Sequence, residues 1–471
     1  MAAPKPLVWQ LLCLAVMVML FYGILRPNDN QDSLTYDTDA EGNEHACSLD
    51  SAAAERLKLT EPISYARLQI DVVEPKWYHR KGNETEGREL NIALPTPRRL
   101  IDVNGNLVAT EDETCANRTT LTMPKQSKRP VDASKIVFGV ATNLERLEAS
   151  LEAFAYWAGK TGARILSLVE AGSGDTGQMA KVLRDAEDLE IKLEIARQNL
   201  SAESTDGDRY FALIKHLHDQ RGDEPVEWAV LIDDDTFFPS MQKLLNRLDQ
   251  YDAFQPQYLG GLTEDLHQMQ NWGYMAYGGG GVFLSMPLLE QLYDNFEECN
   301  STGIEGGDKR VADCIYAHTM TKLSWEPGLH QTDIHGDASG FYEAARAQPL
   351  SIHHWKSWNE VDVVSLSAVA SVCGAQCLLQ RYRFEDGWTL VNGFSIFKYS
   401  DEYEAEEFDM EQTWWDGGDY GHSLAPLRPK DDGKVSYRLE ASVVNEGEVR
   451  QYYVRRRDSG DGVIEVIWRQ K

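Results

Sequence analysis

The chain of 471 residues carries 75 Asp and Glu against 46 Lys and Arg, a formal net charge of −29. Nucleic-acid binding needs clustered cations to neutralise phosphates, so this balance argues against it. A hydrophobic content of 42% can fill a sizeable core and excludes disorder throughout, and the length suits two or three compact units.

In chain order, the first predicted element is an apolar helix from Leu7 to Leu25, with no charge among its 19 residues. At 1.5 Å per residue it spans roughly 28 Å, about one hydrocarbon core. The run ends at Arg26-Pro27 without a small-residue cleavage site, which predicts an uncleaved signal anchor over 1–26. Residues 27–134 read as a stem. Its first part is acidic, with seven Asp and Glu and no Lys or Arg over 27–50, while later pieces such as ISYARLQIDVV (63–73) have strand character. Four N-x-[ST] sequons (Asn83, Asn117, Asn199, Asn300) and six cysteines beyond Cys13 fit an oxidising lumen. No C-x-x-C is present for zinc, so disulfides are expected, with Cys299–Cys314 the favoured pair.

From Ile136 the pattern alternates. KIVFGVAT, RILSLVEA, LEIKLEIA and EWAVLI read as strands, and the segments between them place apolar residues at helical spacing, as Leu144, Leu147, Leu151 and Phe154 do. This predicts an α/β domain over 135–360, a mostly parallel sheet flanked by helices. Beyond 360 the alternation stops. WTLVNGFSIFKYS, KVSYRLEASVV, QYYVRRR and GVIEVIWR predict a small β-rich appendage over 361–471, and the dense acidic block DEYEAEEFDMEQ (401–412) reads as solvated surface.

Asp233, Asp234 and Asp235 stand where EWAVLI ends, and ligands of open α/β sheets bind beyond the carboxyl ends of strands. Adjacent carboxylates repel; a divalent cation such as Mn2+ or Mg2+ relieves the repulsion and can grip a diphosphate. The same acids also suit the N-terminus of a helix formed by PSMQKLLNRL. GSGDTG (172–177) matches G-x-G-x-x-G, but a complete strand–helix unit precedes it, so a flexible loop is preferred to a dinucleotide site. The glycines of MAYGGGGVFLS, Gly279 and Gly280 among them, let backbone approach a ligand or make a tight bend. Asp308 in GIEGGDKRVADC precedes a helical stretch, where an N-cap is its plain structural role. EPGLHQTDIHGD holds His330, Asp333 and His335, at a spacing open to a metal and also ordinary for a loop. PLSIHHWKSW sets His353 and His354 at the end of an apolar stretch.

The order W-x-x-x-x-DDD-T-x-F-F, A-Y-GGGG, a Gly-Asp followed by a Cys, E-P-G-x-H-Q-x-D-x-x-GD and then H-H resembles the Fringe-like glycosyltransferases over about residues 135–360. The likeness is to their plant and fungal branch, and more distantly to the β-1,3-galactosyltransferases and T-synthase. The resemblance implies a GT-A fold, a UDP-sugar donor, Mn2+, inversion at the anomeric carbon and a β-1,3 linkage to a glycan or glycoprotein acceptor. It also implies a single-pass type II protein of the Golgi membrane with its catalytic domain in the lumen. Carried over by position, Asp235 and His354 would hold the metal, with His353 the neighbouring alternative. Asp233 and Asp234 would face the ribose and sugar of the donor, with Gly279 and Gly280 close to it, and Asp308 would be the general base. Gly307 departs from the family, which has an acid there, and Glu305 is the fallback carboxylate. The rival reading is an inactive relative that binds glycans or acts as a scaffold; metal-dependent nucleotide binding separates the two.

Overall fold

Four apolar strands build the centre of the α/β domain. Ile136–Thr142 lies between Arg164–Val169 and Trp228–Ile232, parallel to both, and Lys192–Arg197 continues the parallel run to one edge. On the other side of Trp228–Ile232, Val282–Ser285 runs antiparallel, followed by Tyr258–Gly260 and Leu323–Trp325, which completes a seven-stranded mixed sheet. This computed structural model describes residues 49–74, 88–99, 115–123, 131–170, 172, 174, 176–197, 205–222, 225–401 and 409–471. The expected anchor helix, Cys47, Asn83 and Asn199 lie outside them; among the described residues no helix is long and apolar enough to cross a membrane.

Alternate strand residues serve two cores. Phe138, Val140, Ile165, Val230 and Ile232 face one; Val137, Leu166, Ala229 and Leu231 face the other. Burial on both faces is why these strands read as continuous apolar runs. Helices Leu151–Ala158 and Thr176–Asp188 close the first core with Phe154, Trp157 and Val182. Asp206–Asp219, Met286–Asp294 and Gly307–His318 close the second with Phe211, Leu213, Leu288 and Val311. The Cys299–Cys314 disulfide forms as expected and fastens Gly307–His318 to the short helix Phe296–Asn300; a second bridge, Cys373–Cys377, closes a short loop.

Described parts of the expected stem and of the expected appendage share one sheet. Ser64–Val73, from the expected stem, pairs in parallel with Gly462–Gln470 and, on its other side, with Ala116–Thr122. With Arg381–Phe384, Val435–Asn445 and Glu448–Arg455 they belong to one ten-stranded sheet among the described residues. Strand character was visible in each segment, but pairing between opposite ends of a chain leaves no local signal. Tyr382, Phe394 and Trp468 of this β module share a buried cluster with Phe138 and Trp157, so the two sheets pack into a continuous core.

Near the junction, the Lys434 ammonium sits between Glu343, at 2.8 Å, and Glu411, with all three side chains largely buried. Removing the cation strands two carboxylates in the interior. Lys434→Met is expected to cost ~3–5 kcal/mol of unfolding free energy, read from urea denaturation.

Candidate functional site

Trp228–Ile232 is buried at every residue and stops at Asp233. Thr236 turns the chain: its N–H donates to the Asp233 carbonyl at 3.2 Å, and its Oγ1 accepts from the Asp233 N–H at 3.1 Å and donates to the Gly279 carbonyl at 2.8 Å. Phe237 and Ile352 then exchange two backbone hydrogen bonds, at 2.8 and 2.9 Å, which sets His353 and His354 beside the acids. His354 is held at φ 60°, a left-handed conformation that costs a non-glycine residue energy and that concentrates at functional sites.

His353 Nε2 lies 2.9 Å from Asp235 Oδ1 and 3.2 Å from Asp233 Oδ2, and its Nδ1 lies 3.1 Å from the Gln331 carbonyl oxygen. An Nδ1–H bonded to a backbone carbonyl aims Nε2 at the carboxylates, the arrangement that orients histidine ligands. Burial opposes charge on His353, yet its hydrogen bonds to Asp233 and Asp235 push it up to about 10. Burial likewise opposes charge on Asp235, but His353 and Ser357 hold it well below the usual carboxylate range. His354 Nδ1 lies 2.9 Å from Ser357 Oγ, which donates to Asp235 Oδ2 at 2.7 Å. Its Nε2 is buried without a hydrogen-bond partner; Asp333 Oδ1 lies 3.5 Å away, too long for a good hydrogen bond. Burial holds His354 below its ordinary value, which favours the neutral ring.

Asp235, His353 and His354 offer ligand atoms that all lie within 4.8 Å of one another. One carboxylate and two imidazoles, one of them with an orphaned buried nitrogen, fit a divalent cation that accepts both oxygen and nitrogen, such as Mn2+. Asp235 and His354 are the ligands expected from the sequence, and the structure brings His353 in with them. All three line a cavity of about 690 Å³, together with Asp233, Gly279 and Asp308.

Asp234 is held by protein groups on both oxygens. Arg146 donates to its two oxygens at 2.6 and 2.7 Å, Lys356 Nζ lies 3.1 Å away and Thr142 adds a hydrogen bond. Asp234 lines the cavity, yet only 3% of its side chain is exposed and both oxygens are engaged by the protein, so it also ties the acidic turn to the neighbouring strand.

The glycines divide in the same way. At Gly279 an added Cβ would fall 2.1 Å from His353 Nδ1, so the missing side chain is what lets the imidazole lie against this turn. Gly279→Ala is expected to displace that ring and weaken Mn2+ binding about 10–100-fold by calorimetry. Gly280 is not among the residues that line the cavity: its N–H donates to Gln331 Oε1 at 3.0 Å and its carbonyl accepts from Ser351 Oγ at 2.6 Å.

Asp308 opens the helix Gly307–His318, with Oδ2 accepting from the Gly278 N–H at 3.1 Å and Oδ1 from the Lys309 N–H at 2.7 Å. Burial pushes Asp308 up to about 6 against those two hydrogen bonds, and the charges of Asp233 and Asp333 add to the rise. The adjacent Lys309 ammonium is paired with Asp313. Position 307 has no room for a side chain: a Cβ on Gly307 would lie 2.5 Å from Tyr210 Cβ. Glu305, the fallback, is exposed and lines the same cavity.

His330, Asp333 and His335 do not converge. His330 Nδ1 lies 3.1 Å from Glu264, Asp333 faces His354, and His335 stacks on Trp358. No glycine of GSGDTG is among the described residues that line the cavity. Sequence reasoning missed Arg146, Arg209 and Tyr210, whose hydroxyl is buried without a hydrogen-bond partner. Their shared signal was position, since each lies in the first turns of a helix at the carboxyl end of the sheet, where ligands of such folds bind.

Residues 268–376 match a family described as a protein of unknown function, DUF604. No curated protein matches the chain. Among solved structures, it is similar to a mannosyltransferase from Pyrobaculum calidifontis in complex with GDP-Man and Mn2+, at 14% identity over 43% of this chain and 60% of that one, TM-score 0.29. It therefore spans less than two thirds of that enzyme. It is also similar to the galactosyltransferase LgtC in complex with donor and acceptor sugar analogs, at 13% identity over 46% of this chain and 81% of that one, TM-score 0.30. A third is mouse xyloside xylosyltransferase 1, at 11% identity over 40% of this chain and 83% of that one, TM-score 0.26.

Proposed function

We propose that this chain is an inverting, metal-dependent glycosyltransferase of GT-A type that moves a sugar from a UDP-sugar to a glycan or glycoprotein acceptor, forming a β-1,3 linkage. The observation that carries this reading is a convergence: Asp235, His353 and His354 meet in a cavity at the carboxyl end of the sheet, and a separate carboxylate, Asp308, lines the same cavity. The order of motifs along residues 135–360 points the same way.

Asp235, His353 and His354 would hold Mn2+, which when bound supplies Lewis-acid stabilisation of a diphosphate leaving group. Arg146 and Arg209 line the same cavity and offset part of its acidity. Asp308, ionised at neutral pH yet more basic than an ordinary carboxylate, takes the proton of the acceptor hydroxyl. In that displacement the acceptor oxygen bonds to the anomeric carbon as the bond from that carbon to the diphosphate breaks. The electron pair leaves with UDP and the proton stays on Asp308, so a single base suffices. The apolar run Leu7–Leu25, the sequons and the Cys299–Cys314 bridge support a single-pass type II protein with its bulk in a lumen, and the resemblance of the motifs supports the Golgi membrane as its place.

Calorimetry of UDP binding with and without Mn2+ tests the reading. Binding that requires the metal is expected. Absence of binding in both conditions favours the glycan-binding or scaffolding relative and defeats the transferase.

A further inference from the structure

A row of rings continues the cavity wall onto the segment between Glu411 and Leu427. Trp358 lines the cavity and stacks on His354, with centroids 3.8 Å apart. His335 stacks on Trp358 at 3.9 Å, and Trp415 meets His335 edge-on at 6.4 Å. Trp358 is 39% exposed and Trp415 61%, whereas the adjacent Trp414 is buried. A contiguous exposed aromatic row marks a binding surface, not a core.

The outermost ring is deliberately placed. The Trp415 N–H donates to the His335 carbonyl at 3.0 Å, and Thr413 Oγ1 donates to the Asp337 carbonyl at 2.6 Å and accepts from the Gly340 N–H at 2.9 Å. The indole lies over Gly417, where an added Cβ would fall 2.0 Å from the ring. Further along, Ser423 Oγ donates to the Glu264 carbonyl at 2.8 Å, so the segment is clamped to the α/β domain on both sides of Trp415.

We propose that Trp415, His335 and Trp358 form a platform for the acceptor carbohydrate, with an outer sugar on Trp415 while the reacting hydroxyl enters the cavity that Asp308 lines. This rests on the transferase reading above. A pyranose has apolar C–H faces and a hydroxylated edge; a rigid indole covers such a face at little conformational cost while the edge stays hydrated. Exposed Asp416 and Asp419 follow Trp415 closely in sequence and would repel anionic sugars, which favours a neutral acceptor. Acceptor choice then rests partly on the segment between Glu411 and Leu427, outside the 135–360 domain, and partly on His335 and Trp358 within it.

Saturation-transfer NMR on the full chain tests the platform, with lactose, maltose, cellobiose and xylobiose as neutral probes and sialyllactose as the anionic one. At least one neutral disaccharide should receive saturation from the wild type, and sialyllactose should receive less. Trp415→Ala should weaken that contact about tenfold or more, and Trp415→Phe, which keeps a ring, should restore most of it. No contact with any disaccharide, or equal contact in Trp415→Ala, overturns the platform. Mn2+-dependent UDP binding by the wild type is measured alongside. If UDP binds and saccharides do not, the platform fails and the transferase reading stands. If saccharide contact depends on Trp415 and UDP does not bind, the transferase reading fails and the acceptor role falls with it. Weaker UDP binding in Trp415→Ala would assign the ring to the nucleobase and also overturn the proposal.

Discussion

Asp235→Asn is expected to abolish Mn2+-dependent nucleotide binding and sugar transfer while leaving the fold in place. The substitution is nearly isosteric and removes one charge from the point where Asp235, His353 and His354 meet. Disturbing a group that merely orients a metal ligand costs 10–100-fold in affinity, so loss of the carboxylate ligand itself should exceed about 100-fold. His353 keeps Asp233 as a partner at 3.2 Å and its bond to the Gln331 carbonyl, so the imidazole remains seated. Far-UV dichroism should therefore match the wild type, while calorimetry shows no heat from UDP with Mn2+. Retained metal-dependent binding would transfer the ligand role to Asp233, the partly exposed member of the triplet.

The fold was legible where chemistry is local. Strands buried on both faces announce themselves as apolar runs, and the acidic triplet stands out because Trp228–Ile232 ends at it. The histidine pair was legible by order of motifs, but its partnership with the acids depends on the Phe237–Ile352 bridge, which joins distant segments. The partners of Asp234 were hidden for the same reason. Its occupants, Arg146 and Lys356, arrive from opposite sides of the triplet in sequence, and nothing near residue 234 foretells them. Gly307 looked like a defect in a motif until Tyr210 was seen to fill its space. Trp415 lies just past an acid-rich block that reads as plain solvated surface, and only its contact with His335 connects it to the cavity. Contacts made across the chain, not residue types, were the hidden part.

Asp308→Asn should separate binding from chemistry. With the base removed, kcat is expected to fall about 10²–10⁴-fold, while calorimetry shows UDP and Mn2+ binding as in the wild type. The pH profile gives a second reading. Burial raises Asp308 to about 6, so wild-type kcat/KM should decline as pH drops through that value and the carboxylate takes up its proton; the residual rate of the variant should lack that limb. Stability supplies the control. A carboxyl raised above its unfolded value of 3.8 favours folding when protonated, so its ionisation costs stability as pH rises from about 4 to 6, and the cost persists above. Asparagine is neutral throughout and removes that cost, which offsets the one hydrogen-bond acceptor it gives up to the Gly278 and Lys309 N–H groups. Thermal melting near neutral pH should then be no lower than in the wild type, and lost activity cannot be ascribed to unfolding. Should Asp308→Asn transfer sugar at close to the wild-type rate, the base is Glu305 on the same cavity wall, and Glu305→Gln must then inherit the whole effect.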